Sequence, residues 1–166
     1  MALRYVSTRS RGPAAELGAF QEILLEGLAP DGGLAMPAEL PEFSMTRLSG
    51  LSKLPYPALA AEIVGEFAPD IERNVVRRLC EQAYTKEKFG SAEIAPLSLL
   101  GQESGAPLAL LELSNGPTLA FKDMAMQLLG QLFEYVLTAR GQTLNILGAT
   151  SGDTGSAAEY AMRDKR

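Results

Sequence analysis

The 166-residue chain has no histidine, no tryptophan and a single cysteine, Cys80. Without histidine it cannot itself supply a Ser-His-Asp triad, a Cys-His dyad or an imidazole metal ligand. Acid–base work in this chain therefore falls to lysine, tyrosine, aspartate, glutamate or a cofactor. A lone cysteine excludes an intrachain disulfide, fits a reducing compartment, and reads here as a small buried thiol in a helix. No apolar run approaches the roughly 20 residues of a membrane span. The start, Met1-Ala-Leu-Arg-Tyr5, lacks an apolar signal segment, so a cytoplasmic protein is expected. Basic residues are few: 15 Lys and Arg stand against 20 Asp and Glu, without a basic cluster. That balance argues against a nucleic-acid or anionic-membrane partner. Hydrophobic content of 46% with 21% charged residues marks a globular chain and argues against disorder.

The periodicities divide the chain near residue 90. Leu3 to Thr8 alternates as a short strand, and Ser10-Arg-Gly-Pro13 reads as a turn. A short helix is predicted over Leu17–Leu25, ended by Gly27. Ala29-Pro-Asp-Gly-Gly33 is dense turn chemistry, and Leu34–Pro37 is an extended piece able to pair with the first strand. Ser44–Leu51 is ambiguous. Tyr56–Phe67 has helical spacing, and Asp70 is the expected N-cap of a helix over Ile71–Tyr84. Residues 1–90 thus read as a small, mainly helical domain.

Residues 91–166 carry a different pattern. Ile94–Leu97 is short and extended, Gly101–Pro107 a turn, and Leu108–Leu113 an apolar run of the kind covered on both faces. A long helix is predicted over Leu119–Ala139, with Met124, Leu128, Leu132 and Phe133 inward and Gly141 as its stop. Leu144–Leu147 is a second apolar strand, followed by a turn to Gly155 and a helix to Met162. This β-α-β-α order predicts parallel strands with a right-handed crossover, the start of an α/β sheet. Two strands would leave such a sheet half-covered, so the sequence is expected to be a fragment that continues past Arg166.

Chemistry concentrates in two turns, Asn115-Gly-Pro-Thr-Leu-Ala-Phe-Lys-Asp123 and Gly148-Ala-Thr-Ser-Gly-Asp-Thr-Gly155. Each leads from an apolar strand into a helix, where free backbone N–H groups and the helix dipole favour an anion. The second is neither a Walker A loop nor a Rossmann fingerprint, because the required Gly-Lys-Ser/Thr and G-x-G spacings are missing. Its small residues and hydroxyls can hold a carboxylate or phosphate; the plainer alternative is helix capping by Ser151 or Asp153. In the first turn, Lys122 sits where the dipole disfavours a cation, among Ala120, Phe121, Met124 and Met126. A solvated surface lysine is the simple alternative, yet burial there would make a neutral amine available as a nucleophile. Asp123 is expected to pair with the helix dipole.

At their spacing, these two segments resemble the cofactor-lysine and Ser-Gly-Asp-Thr-Gly motifs of threonine synthases, pyridoxal-phosphate enzymes of fold type II. Tyr5-Val-Ser-Thr-Arg9 and Leu28-Ala-Pro-Asp-Gly-Gly-Leu34 are similar to that family's opening stretch, so the resemblance runs through nearly the whole chain. One departure is Asn115, where many relatives have histidine. The resemblance implies that residues 1–90 form the family's N-terminal domain and 91–166 part of its pyridoxal-phosphate-binding α/β domain. It further implies that Lys122 bonds the aldehyde carbon of pyridoxal phosphate and, once displaced, shuttles protons. Asp153 would lie near the cofactor's phenolic oxygen, while Ser151, Gly152 and Thr154 would grip the substrate carboxylate. The implied reaction takes O-phosphohomoserine and water to threonine and phosphate. Other fold-type-II enzymes, such as threonine dehydratase and cysteine synthase, lack the ninety-residue front piece. From another class, a non-catalytic small-anion-binding or assembly domain would keep the turns without the chemistry. The family's phosphate loop lies beyond this sequence, so the chain alone is expected to bind cofactor weakly and turn over nothing.

Overall fold

A computed structural model describes residues 3–11, 16–103 and 105–165. Two compact units emerge: Met1–Leu54 with Ala58–Arg78, and Pro55–Pro57 with Leu79–Arg166. The predicted turn at residues 10–13 lies partly outside the described residues.

In the first unit, β1 (Tyr5–Ser7) pairs antiparallel with β2 (Ala35–Pro37), as their extended patterns suggest. Asp31 stabilises the intervening turn by accepting from the Ser7 hydroxyl (2.6 Å) and the Gly33 N–H (2.9 Å), which holds its carboxyl below the usual range. Helix α1 runs Phe20–Glu26 and begins later than predicted, where the Glu22 carboxylate accepts from the Ala19 N–H. The ambiguous segment is a helix, α2 (Met45–Leu51), with Ser44 accepting from the Arg47 N–H as its N-cap. Helix α3 covers Tyr56–Phe67, as its spacing predicted. Asp70 does not cap the next helix, α4 (Arg73–Ala83). Its carboxylate instead accepts from the Gln21 N–H at 3.0 Å and its carbonyl from Gln21 Nε2 at 2.9 Å, a tertiary demand that outcompetes the cap. Glu66 accepts from both Arg47 (2.7 Å) and Arg73 (2.6 Å), and these guanidinium hydrogen bonds lower its pKa.

In the second unit, a one-turn helix α5 (Lys86–Phe89) is stopped by Gly90 in the left-handed region. Strands β3 (Leu97–Glu103) and β4 (Ala106–Leu111) then pair antiparallel, with a register irregularity between Leu99 and Gly101. The predicted turn at Gly101–Pro107 is therefore mostly ladder, and Ser104 within it lies outside the described residues.

Helix α6 spans Asp123–Arg140 and helix α7 Asp153–Met162. The predicted start of α6 at Leu119 is four residues too early. Leu119 takes φ +61°, a left-handed conformation no helix can include. Leu128 and Leu132 are buried as predicted, whereas Met124 and Phe133 are half-buried. The remainder of the inward face is Asp123, Gln127, Gly130 and Val136.

Two strand expectations need correction. Leu144–Leu147 forms no ladder, and Leu147 is fully exposed. Nor is β4 covered on both faces, since its residues are exposed. Apolar composition signals a strand suited to burial, but a strand exists only where neighbours supply hydrogen bonds. Among the described residues β4 pairs only with β3, and the parallel pairing of 108–113 with 144–147 is absent.

Candidate active site

Lys122 occupies the position just before α6, at φ −63° and ψ −22°. Its ammonium lies 4.4 Å from the Phe121 ring centroid, a cation–π distance. Among the described residues it has no hydrogen bond or ion pair. The side chain is half-buried and lines a cavity of about 350 Å3, walled by Tyr56, Leu113, Phe121, Met124 and Met126. Aromatic packing fixes that wall: Tyr84 meets Tyr56 edge to face at 5.0 Å and donates to the Met124 carbonyl at 2.8 Å. Burial pushes the Tyr84 phenol pKa up, so the donor stays protonated.

Asp123 does more than face the dipole. Its side chain is wholly buried and accepts from the Thr118 N–H at 2.8 Å and from the Thr118 hydroxyl at 2.9 and 3.0 Å. It makes no ion pair with Lys122 within 4 Å. The carboxylate thus ties the Asn115–Lys122 turn to the helix start, a role the sequence reading missed.

The second turn is organised by Thr150, whose hydroxyl accepts from the N–H groups of Gly152 (3.2 Å) and Gly155 (3.0 Å). Neither Ser151 nor Asp153 caps the helix; the N-cap is Gly152, whose φ of +139° and ψ of −72° suit glycine alone. Ser151 and Asp153 are exposed and Thr154 half-buried. Thr150 and Thr154 line a second cavity, of about 990 Å3, which shares no lining residue with the one beside Lys122.

Contacts between the helices show how the turns relate. A Cβ on Gly130 would stand 2.5 Å from the Ala161 carbonyl oxygen, so the backbones nearly touch there. Four residues further along each segment, Glu134 meets Lys165 at 2.6 Å. Although Lys165 lies just past the end of α7, contacts that advance in step fit α6 and α7 running in the same direction. Seven residues separate Asp123 from Gly130, and eight separate Asp153 from Ala161. At about 1.5 Å per residue, both helix starts lie roughly 10–12 Å back from the contact, at the same end of the pair. Lys122 and the hydroxyl-bearing turn therefore share one end of the helix pair, each with its own cavity. No group of histidine, cysteine, aspartate and glutamate among the described residues could hold a metal ion.

The chain resembles known proteins over nearly its whole length. Residues 4–84 match the family model described as threonine synthase N terminus. Threonine synthase of Corynebacterium glutamicum is 52% identical over 97% of this chain and 33% of its own length. The crystal structure of threonine synthase from yeast superposes with a TM-score of 0.87 at 38% identity, covering 99% of this chain and 34% of that one. The pyridoxal-phosphate-bound threonine synthase of Brucella melitensis gives 0.85 at 39% identity, with 99% and 34% covered. The likeness places the fold among the α/β proteins of pyridoxal-phosphate fold type II. More narrowly, the chain belongs to the threonine synthase family, of which it carries the N-terminal part. It spans about a third of the length of the curated relatives it matches.

Proposed function

We propose that this chain is the N-terminal part of a pyridoxal-phosphate-dependent threonine synthase acting on O-phosphohomoserine in the cytoplasm. The observation that carries this reading is an amine without a carboxylate partner, Lys122, at the rim of an apolar cavity. That cavity sits at the same end of the helix pair as a turn with free hydroxyls. These residues fit pyridoxal phosphate: the amine suits its aldehyde, and the Phe121, Met124 and Met126 wall suits the face of its ring. When bound, the cofactor supplies an electron sink for substrate carbanions.

The chain's own residues do the rest. Lys122 holds the cofactor and, once released, takes and returns protons beside the apolar wall of the cavity. Without histidine, no other side chain on these two turns is as well suited as a base. Thr150 already accepts the N–H groups of Gly152 and Gly155, which stiffens the bend and leaves the Ser151 and Thr154 hydroxyls to bind a substrate carboxylate with the helix dipole behind them. Gly152 permits close approach of that carboxylate to the backbone. Asp153 would lie near the cofactor's phenolic oxygen. Residues 1–90 form the family's N-terminal domain and 91–166 part of its cofactor domain; no helix among the described residues is long and apolar enough to cross a membrane.

The test joins this chain to the remaining two thirds of the Corynebacterium glutamicum relative and measures phosphate release from O-phosphohomoserine. Release is expected from the joined protein, and none from its Lys122→Ala variant. Retained activity in Lys122→Ala would contradict the assignment and favour an anion-binding domain. The 166-residue chain alone is expected to bind pyridoxal phosphate weakly and to release no phosphate.

A further inference from the structure

The described structure contains one fully buried carboxylate, and it is next in sequence to the lysine on which the proposed function rests. Burial of a carboxylate is costly unless hydrogen bonds replace its water, and Asp123 obtains all of its recorded side-chain bonds from one residue, Thr118. The packing around it leaves no slack. A Cβ added to Gly116 would lie 2.4 Å from Asp123 Cβ and 2.5 Å from its Oδ2, so only glycine lets the loop close on the carboxylate.

Between the two ends of this clasp, Leu119 is held in the left-handed region while its side chain is 73% exposed. An exposed leucine obtains little packing in return for that conformation, so something else must impose it. Backbone bonds from Leu119 N–H to the Gly116 carbonyl and from Asp123 N–H to the Ala120 carbonyl, both 3.0 Å, complete the turn. Lys122 lies inside it, one peptide from the clasp.

We propose that Asp123 is a positioning residue: gripped by Thr118, its carboxylate fixes the turn that aims the Lys122 amine. It is neither counter-ion nor base, because it makes no ion pair with Lys122 and its oxygens face Thr118. Restricting residues 118–123 to one conformation pre-sets the direction of the amine, and reaction rates fall steeply when a reacting group is misplaced by an ångström. The inference rests on Lys122 being the cofactor amine.

The test is cofactor-dependent labelling that needs no turnover. The chain is mixed with pyridoxal phosphate, reduced with borohydride for a short time, and mapped by mass spectrometry at Lys53, Lys86, Lys88, Lys122 and Lys165. In the natural chain Lys122 is expected to label fastest. Thr118→Val and Asp123→Asn are each expected to slow Lys122 at least about tenfold with the other four lysines unchanged. Thr118→Ser, which keeps both donors, is expected to restore the rate. If Lys122 labels at the natural rate in Thr118→Val with the tyrosine circular dichroism intact, the positioning role is overturned. A variant that unfolds raises the exposed lysines together; Thr118→Val, nearly equal in shape to threonine, then decides the matter. No preference for Lys122 in the natural chain would instead overturn the cofactor assignment itself, and the positioning role with it.

Discussion

Substituting Gly130 by alanine sets two effects of opposite sign against each other. In an ordinary helix interior the change stabilises by about 1 kcal/mol, because alanine has the higher helix propensity. In α6 the new methyl would stand 2.5 Å from the Ala161 carbonyl oxygen and 3.2 Å from its carbon. The obstacle is backbone, so it cannot swing aside as a long side chain would. Carbon-to-oxygen contacts need about 3.3 Å, and the two helices must therefore separate by most of an ångström. Overpacking of this kind costs about 1–3 kcal/mol, and a backbone obstacle belongs near the upper end. The net expectation is a loss of about 1–2 kcal/mol. Urea unfolding followed by near-ultraviolet circular dichroism reads it well, because four of the five tyrosines (Tyr56, Tyr84, Tyr135 and Tyr160) lie in the second unit. With a slope of about 1–2 kcal/mol per molar, the midpoint should fall by roughly 1 M. Gly50→Ala in α2, whose added methyl meets nothing within 4 Å, should instead stabilise the first unit. A Gly130→Ala variant more stable than the natural chain would refute the close approach of α6 and α7 at Gly130.

Two further outcomes follow from buried polar groups. Gln127 is 3% exposed and its Nε2 has no hydrogen-bond partner. Gln127→Met, similar in shape and a good helix former, should stabilise by about 1 kcal/mol in the same urea assay; a loss of that size would show the amide to be bonded. The Cys80 thiol is wholly buried, and desolvation pushes its pKa up to about 12. A folded-state value above the unfolded one of about 8.5 means that the contribution is complete below that pH and is lost as pH rises toward 12. Desolvation raises the Tyr56 and Tyr84 phenols too, so their contribution has the same sign. The urea midpoint should thus fall steadily above about pH 9, less steeply in Cys80→Ala, and a flat profile to pH 10.5 would contradict this.

What was legible in the sequence was whatever periodicity writes. The 3.6-residue spacing of Leu59, Ile63 and Phe67 located α3, and Leu128 and Leu132 gave the buried stripe of α6. Pro37 and the Gly-Gly turn before it announced the β1–β2 pair. Less visible was anything settled by tertiary partners. Asp70 is chemically a good N-cap, yet Gln21, 49 residues away, claims its oxygens. Leu119 gave no warning of a left-handed conformation, because the residue types that favour it are Gly, Asn and Asp. The Thr118–Asp123 clasp follows no period and was hidden for that reason, though Gly116 beside a proline was a signal that backbone comes close there. Gly130 was a clearer one: a glycine inside a long helix costs about 1 kcal/mol and usually has a packing reason. The β3–β4 hairpin was foreshadowed by Gly105 between two apolar runs, a signal masked by Gly101 within the first of them. Apolar runs announced strands at 108–113 and 144–147 but could not say what would pair with them.

The central claim is that one lysine of five is the amine that takes pyridoxal phosphate. Its most direct measurement is the site of borohydride-fixed pyridoxyl label on the natural chain at limiting cofactor. The label is expected on Lys122, well ahead of Lys53, Lys86, Lys88 and Lys165. Label spread evenly over the five, or concentrated on any of the other four, would contradict it.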